Sequence, residues 1–260
     1  MKTGRITFCS VFIRQDIIRQ KVTGESSMTD FYIRTKEDLM AAVDSLGFLP
    51  FFAHEIEGFS IEEHVDPRAY FSDEEGVWEW KGPVIQELRC AYGKFFNKKA
   101  GFISKKWFPD FANYRRDGYD FDARMDEGIG NYNDQFLYNI IASKRSILSK
   151  DAKAIGGYVK PKTKGQDQWE PRKGFDTQIT RLQMQCYVTT SGFDYEVDKN
   201  GNFYGWGVAR YATPESFFGK SFENKVYRRT PEESYRRIVR HLKKIVPEAS
   251  EEQIAYFLSR

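Results

Sequence analysis

Two amides two positions apart, Gln183 and Gln185 in the stretch GFDTQITRLQMQCYVTTSGFDYEV, are the residues whose type and spacing bear most directly on chemistry. Amides are weak bases, but two on one face can hold and orient a water molecule. Whether they share a face depends on the backbone. On a helix, positions i and i+2 diverge by about 160°, whereas on a strand they lie on the same side. The stretch reads as a helix giving way to a strand, so both outcomes stand. If the helix has ended by Gln183, the pair can act together on a ligand; if it runs through Cys186, one glutamine can touch a ligand and the other cannot join it. Helical stepping over 175–186 puts Phe175, Ile179, Leu182 and Cys186 in one arc, the core face. Thr177, Arg181 and Met184 then point away, with Gln178 and Gln185 on the flank beside Arg181.

Other chemical constellations are poorer. A second glutamine pair, Gln166 and Gln168, flanks Asp167. Asp117, Asp120, Asp122, Asp126 and Glu127 cluster in YRRDGYDFDARMDEG, but Arg115, Arg116 and Arg124 are interleaved. The spacing is not that of a calcium loop, and an ion-paired linker is the expectation. His54 and His64, near Glu55, Glu62 and Glu63, lack the HExxH spacing of a zinc helix. No glycine-rich phosphate loop or Ser-His-Asp arrangement stands out. The three cysteines are odd in number and far apart, which argues for free thiols rather than disulfides or a zinc ribbon. No metal and no cofactor are expected. Trp78, Trp80 and Trp107 read as packing residues.

The elements that must position these side chains can be read from caps and periodicity. Thr35 with an acidic first turn predicts a helix carrying Leu39, Val43 and Leu46 on one face and stopped by Gly47. SIEEHV at 60–65 is a short helix. A helix around Val84 to Leu88 feeds a strand at 90–96, a turn through Asn97 to Gly101 and a return strand at 102–108. The same order recurs later. Phe136, Leu137, Ile140 and Ile141 have helical spacing, Leu148 to Ile155 forms a second helix, and a third begins near Phe175. Strands 187–197 and 203–211 are then joined by Asp198-Lys-Asn-Gly201, a strong hairpin signal. Three helices and a two-stranded wing make a winged helix. Two capping boxes, Thr230 to Glu233 and Ser250 to Gln253, open the last two helices. The first of these is amphipathic, with Arg236, Arg240 and Lys243 on its outer face.

The predicted fold class is therefore α+β: tandem winged-helix domains plus C-terminal helices. Residues 1–27, without sustained periodicity and followed by Met28, read as a disordered extension or a misassigned start. The expected units are a first winged-helix-like domain at 28–115, a charged linker at 116–132, a second winged helix at 133–215 and a helical segment at 216–260.

With 260 residues, 40% hydrophobic and 30% charged, the composition is that of a folded globular protein. No run approaches a membrane span, and the N-terminal apolar run is short and lacks a cleavage site, so the cytoplasm is the expected compartment. The net charge of +3 is small, but its distribution is uneven. The loop YVKPKTKGQDQWEPRKG at 158–174 carries Lys160, Lys162, Lys164, Arg172 and Lys173 against Asp167 and Glu170. A helix offering Thr177, Gln178, Arg181 and Gln185 outward, behind a basic loop and ahead of a hairpin, suits double-stranded DNA. Arginine pairs with guanine and glutamine with adenine in the major groove, while loop lysines hold phosphates. A solvated helix face on a protein-binding winged helix is the competing reading.

The stretches KFFNKKAGFISKKWFPDFANYRRDGYDFDAR at 94–124 and GFDTQITRLQMQCYV at 174–188, with a wing ending in GWGVARYATPESFFG, resemble the winged-helix family of bacterial AlkZ-type DNA glycosylases and their AlkZ-related kin. The resemblance extends over most of residues 28–260. It implies tandem winged helices that cup damaged DNA and a catalytic pair of glutamines, or glutamine and aspartate, flanking an apolar residue. Gln183-Met184-Gln185 has that form, although in the family the motif lies in the first winged helix and here it lies in the later one. If it were catalytic, the reaction would be hydrolysis of the N-glycosidic bond of an alkylated purine, with the amides orienting water. The other readings are a DNA-binding protein without catalysis and a protein-interaction module.

Overall fold

Thr35 opens the first helix as its sequence suggests: its hydroxyl accepts the Asp38 N–H and Asp38 accepts in return, giving α1 (Lys36–Leu46), which Gly47 ends at φ 80°. The computed structural model describes residues 31–70, 75–160, 170–197, 199 and 203–260. The expectation for residues 1–27 therefore lies outside the described residues, as do Lys162, Lys164, the pair Gln166 and Gln168, and most of the wing turn.

After α1 come β1 (Phe48–Pro50), the short helices α2 (Ile61–His64) and α3 (Pro67–Tyr70), and α4 (Val77–Leu88). The last starts seven residues before the Val84 predicted to lie near its beginning. Strands β2 (Ala91–Phe96) and β3 (Lys99–Ile103) follow. Their turn is tighter than Asn97–Gly101: Asn97 and Lys98 alone make it, with φ of 47° and 68°, the left-handed pair that matches the twist of a hairpin. The return strand accordingly lies at 99–103 and not at 102–108. Gly101 is required within it, because a Cβ there would meet the Leu49 carbonyl at 2.8 Å. The sheet runs β1-β3-β2, antiparallel throughout.

Next are α5 (Phe108–Arg116), α6 (Phe121–Asp126), α7 (Tyr132–Ala142), β4 (Ile147–Leu148), α8 (Ser149–Ile155), α9 (Phe175–Met184), β5 (Thr189–Val197) and β6 (Phe203–Ala212). The second sheet runs β4-β6-β5 and is also antiparallel. Each half thus has the same chain order, helix, strand, helices, hairpin, and in each the first strand pairs with the third. The fold class is α+β, as expected.

The chain ends with α10 (Pro214–Phe218), α11 (Lys220–Val226), α12 (Pro231–Ile245) and α13 (Glu251–Phe257). Both predicted capping boxes form. Ile238, Leu242, Ile245, Ile254 and Phe257 from α12 and α13 pack into the same core as Phe48, Phe95, Phe102 and Phe111, so the C-terminal segment covers the first sheet. Buried Asp110 of α5 fixes that docking, facing Arg229, Arg237 and Ser234 at 3.1–3.4 Å. A second, smaller core is built from Phe121, Leu137, Ile141, Ile179, Leu182 and Tyr187 among others. No described helix is long and apolar enough to cross a membrane.

Candidate functional site

The stretch LQMQ ends α9 in a Schellman motif. The Cys186 N–H donates to the Gln183 carbonyl at 2.8 Å and the Tyr187 N–H to the Leu182 carbonyl at 2.9 Å, with Cys186 in the left-handed region at φ 61°. Glycine is the usual residue at that position. Here a buried cysteine occupies it, and its carbonyl is held by Arg116 Nη2 at 2.8 Å. Leu182 and Tyr187 join the same core, the apolar contact that commonly accompanies this helix end. The helix runs through Met184, two residues short of the predicted 186, and Gln185 is its C-cap.

The two glutamines consequently do different things. Gln183 is 3% exposed. Its Oε1 accepts the Lys94 N–H of β2 at 3.1 Å, and its Nε2 donates to Thr190 Oγ1 of β5 at 3.2 Å. The Thr189 hydroxyl accepts the Tyr92 N–H at 3.4 Å and lies 3.2 Å from the Tyr92 carbonyl. Strands β2 and β5 are the facing edges of the two sheets, and backbone groups of β2 that an edge leaves open are met by side chains of the second half. A Cβ at Gly93 would crowd the Phe95 ring at 3.1 Å and just touch the Gln183 amide carbon at 3.4 Å. Gln185 is half-buried at the helix end.

The flank expected beside Arg181 is also divided. Gln178 is not on the outer face: it is 5% exposed and its Oε1 accepts the Tyr158 hydroxyl, while its Nε2 reaches the Lys173 carbonyl at 3.5 Å. It therefore ties together the two ends of the basic loop. The Arg172 N–H donates to the Gly157 carbonyl at 2.8 Å, and the Arg172 guanidinium sits 3.9 Å from the Phe136 ring centroid. Arg181 forms a bidentate pair with buried Asp134 of α7 at 2.5 and 2.6 Å. That hydrogen bonding raises its pKa further above an already high value. Thr177, Lys160, Arg172 and Lys173 are exposed.

The arginines at 115 and 116 turn inward instead of alternating with the aspartates of an ion-paired linker. Arg116 is 1% exposed, donates to Glu215 at 2.7 Å and to the Tyr227 hydroxyl at 2.9 Å, and lies over the Tyr187 ring. Burial opposes its charge, but Glu215 and Tyr227 raise its pKa on balance. Sequence reading missed this residue. The available signal was Phe108, Phe111, Ala112, Arg115 and Arg116 at helical spacing, which continues the core face through both arginines.

The buried cysteines are poorly suited to nucleophilic chemistry, since burial pushes the thiols of Cys90 and Cys186 up to about 12. His64 is buried with a ring nitrogen 2.9 Å from the Gly58 carbonyl. Among the described residues, no group of three or more His, Cys, Asp or Glu is placed to hold a metal ion.

A family model described as AlkZ related matches residues 33–259. Comparisons with curated proteins and with solved structures give no match. The matched span runs from the strand-like start at Ile33, through both sheets and the glutamine-bearing helix end, to the last helix: this chain belongs to the AlkZ-related family, in a DNA glycosylase-like superfamily.

Proposed function

We propose that this protein is a tandem winged-helix protein that binds double-stranded DNA, and that its glutamine pair does not catalyse base release. The observation that carries the reading is the repeated order of the two halves: a hairpin follows a helix in each, and the first strand pairs with the third in both sheets. A helix-turn-helix element backed by a wing is a DNA-docking arrangement, and the family relation points the same way. In the second half, α9 presents Thr177, the base of the loop presents Lys160, Arg172 and Lys173, and Gln185 stands at the helix end. Arg181, held by Asp134, positions α9 against α7 in this reading and reads a base only if that pair exchanges.

Against catalysis by the pair, the Gln183 amide is occupied at both ends and buried, whereas Gln185 lies beyond the helix that carries Gln183. Orienting one water with both would require breaking the bridge between the two sheets.

Duplex binding measured across a salt series tests the proposal. Arg172→Ala with Lys173→Ala is expected to weaken binding and lower the slope of log K against log salt by about 2, roughly one per lost phosphate contact. No duplex binding by the parent, or binding indifferent to salt, would refute it. Incubation of the same preparation with heavily alkylated DNA is expected to release no free base; release that Gln185→Ala abolishes would overturn the non-catalytic part.

A further inference from the structure

Where the two halves meet on another side of the second sheet there is a cavity of about 320 Å³, lined by Gln86, Arg89, Arg145, Ser191, Arg210 and Ser216 with their neighbours. Its charged lining consists of arginines alone. Arg210 is neutralised by Asp194, through two contacts at 2.6 and 2.8 Å. Arg89 and Arg145 have no ion-pair partner among the described residues. Arg89 donates one Nη2 hydrogen bond to the Phe217 carbonyl, and the Arg145 guanidinium makes no hydrogen bond with the described residues. Two positive charges and most of their N–H groups therefore remain available at one concave place.

The walls of the cavity are fixed. The Gln86 amide donates to the Ser191 carbonyl, the hydroxyls of Ser146 and Ser191 meet at 3.1 Å, and the Ser216 hydroxyl donates to the Arg145 carbonyl at 2.9 Å. This last bond uses the backbone of Arg145 and leaves its side chain unengaged. Gln86 and Arg89 come from the end of α4 in the first half, Arg145, Ser191 and Arg210 from the second half and Ser216 from α10, and ligand sites favour such junctions.

We infer that this cavity binds a phosphoryl group, with Arg89 and Arg145 as its cationic partners and the serine hydroxyls beside them. Two guanidinium groups with no carboxylate partner among the described residues, one of them placed by the Phe217 carbonyl and ring, match the charge and the acceptor oxygens of a phosphate dianion; a carboxylate carries half that charge. The cavity also has room for more than the phosphate itself. Ser191 and Arg210 lie on the wing strands β5 and β6, but none of the lining residues belongs to α9 or the basic loop, so the site is distinct from the surface of Thr177, Lys160, Arg172 and Lys173 proposed above. Because its walls come from both halves, occupancy couples ligand binding to their association and hence to stability.

The experiment compares thermal unfolding of the full chain and of Arg145→Gln in rising inorganic phosphate at constant ionic strength. Phosphate stabilises proteins generally by exclusion from their surfaces, so the readout is the difference between the two proteins. The parent Tm is expected to rise saturably, by roughly 3–5 °C at about ten times the Kd, and Arg145→Gln to lose that saturable component. Arg145→Lys, which keeps the charge without the fork, is expected to retain part of it. Equal shifts in the parent and Arg145→Gln would overturn the inference.

Duplex binding then identifies the source of the phosphoryl group. If nucleic acid supplies it, Arg145→Gln lowers duplex affinity and reduces the salt slope by about 1. If a free phosphomonoester supplies it, duplex binding is the same in both proteins while the phosphate shift is lost. A parent that shows the phosphate shift but binds no DNA refutes the DNA reading alone.

Discussion

Replacing Gln183 by alanine removes the amide that spans the two sheets, and the cost can be worked from its contacts. The Lys94 N–H loses its acceptor at 3.1 Å, and Thr190 loses a donor at 3.2 Å, both at a place where the side chain is 3% exposed. An orphaned buried N–H costs about 1–3 kcal/mol, and the small cavity left by the missing atoms adds to it, so a total of about 2–4 kcal/mol is expected. For a chain of this size that corresponds to a fall in Tm of roughly 5–10 °C. Thr190 loses only a donor to its hydroxyl oxygen, which is cheaper to leave unmet than an orphaned N–H and places its own loss at the low end. Gln185→Ala, at a half-buried cap position, should change stability by less than about 0.5 kcal/mol. Denaturant or thermal unfolding of the two variants beside the parent provides the assay, and any binding or activity measurement on Gln183→Ala has to be made well below its own Tm. A Gln183→Ala protein as stable as the parent, or a Gln185→Ala protein that is the more damaged of the two, would refute the assignment of Gln183 as the bridge between the sheets.

Two more predictions concern pH and the first hairpin. His54 and His241 are held below their ordinary value of 6.5, chiefly because burial disfavours the charged ring. Each has a ring nitrogen within 3.0 Å of a carbonyl, of Phe59 and Leu46 respectively. The unfolded chain then binds more protons than the folded one below about pH 6.5, so stability from this source is full above that pH and is lost as the pH falls from there through the lower folded values. A Tm that declines between about pH 7 and 5.5, before carboxylates titrate, is the expected result; a flat or rising Tm contradicts it. In the turn after β2, Lys98 is exposed at φ 68°, a conformation disfavoured by a Cβ. Lys98→Gly should stabilise by about 0.5–1 kcal/mol, while a loss of stability would show that Lys98 is held there by something other than the turn.

Legibility in the sequence followed the range of the interactions. The caps at Thr35, Thr230 and Ser250 close within three residues, so their residue types alone reveal them. The buried stripe of α9, Phe175, Ile179 and Leu182, follows from periodicity in the same way. The hairpin after Val188 was equally plain, because its turn residues lie between two runs of strand formers. The turn of the first hairpin is shorter than its residue types predict: Gly101 suggests a turn, but it is a glycine because a neighbouring strand and Phe96 leave no room for a side chain.

Residue types and spacing alone specify the mixed architecture, most of the helix starts, and the glutamine pair as a question about where one helix ends. The tertiary structure decided the answer. Gln178 meets a tyrosine 20 positions away, Gln183 meets a strand 89 positions away, and Arg116 is matched by Glu215 at a separation of 99. Polar side chains such as these default to solvent in a sequence reading because burial costs them their hydration. They are buried here because distant segments bring the partners that replace that water, and no local pattern announces which segments those will be.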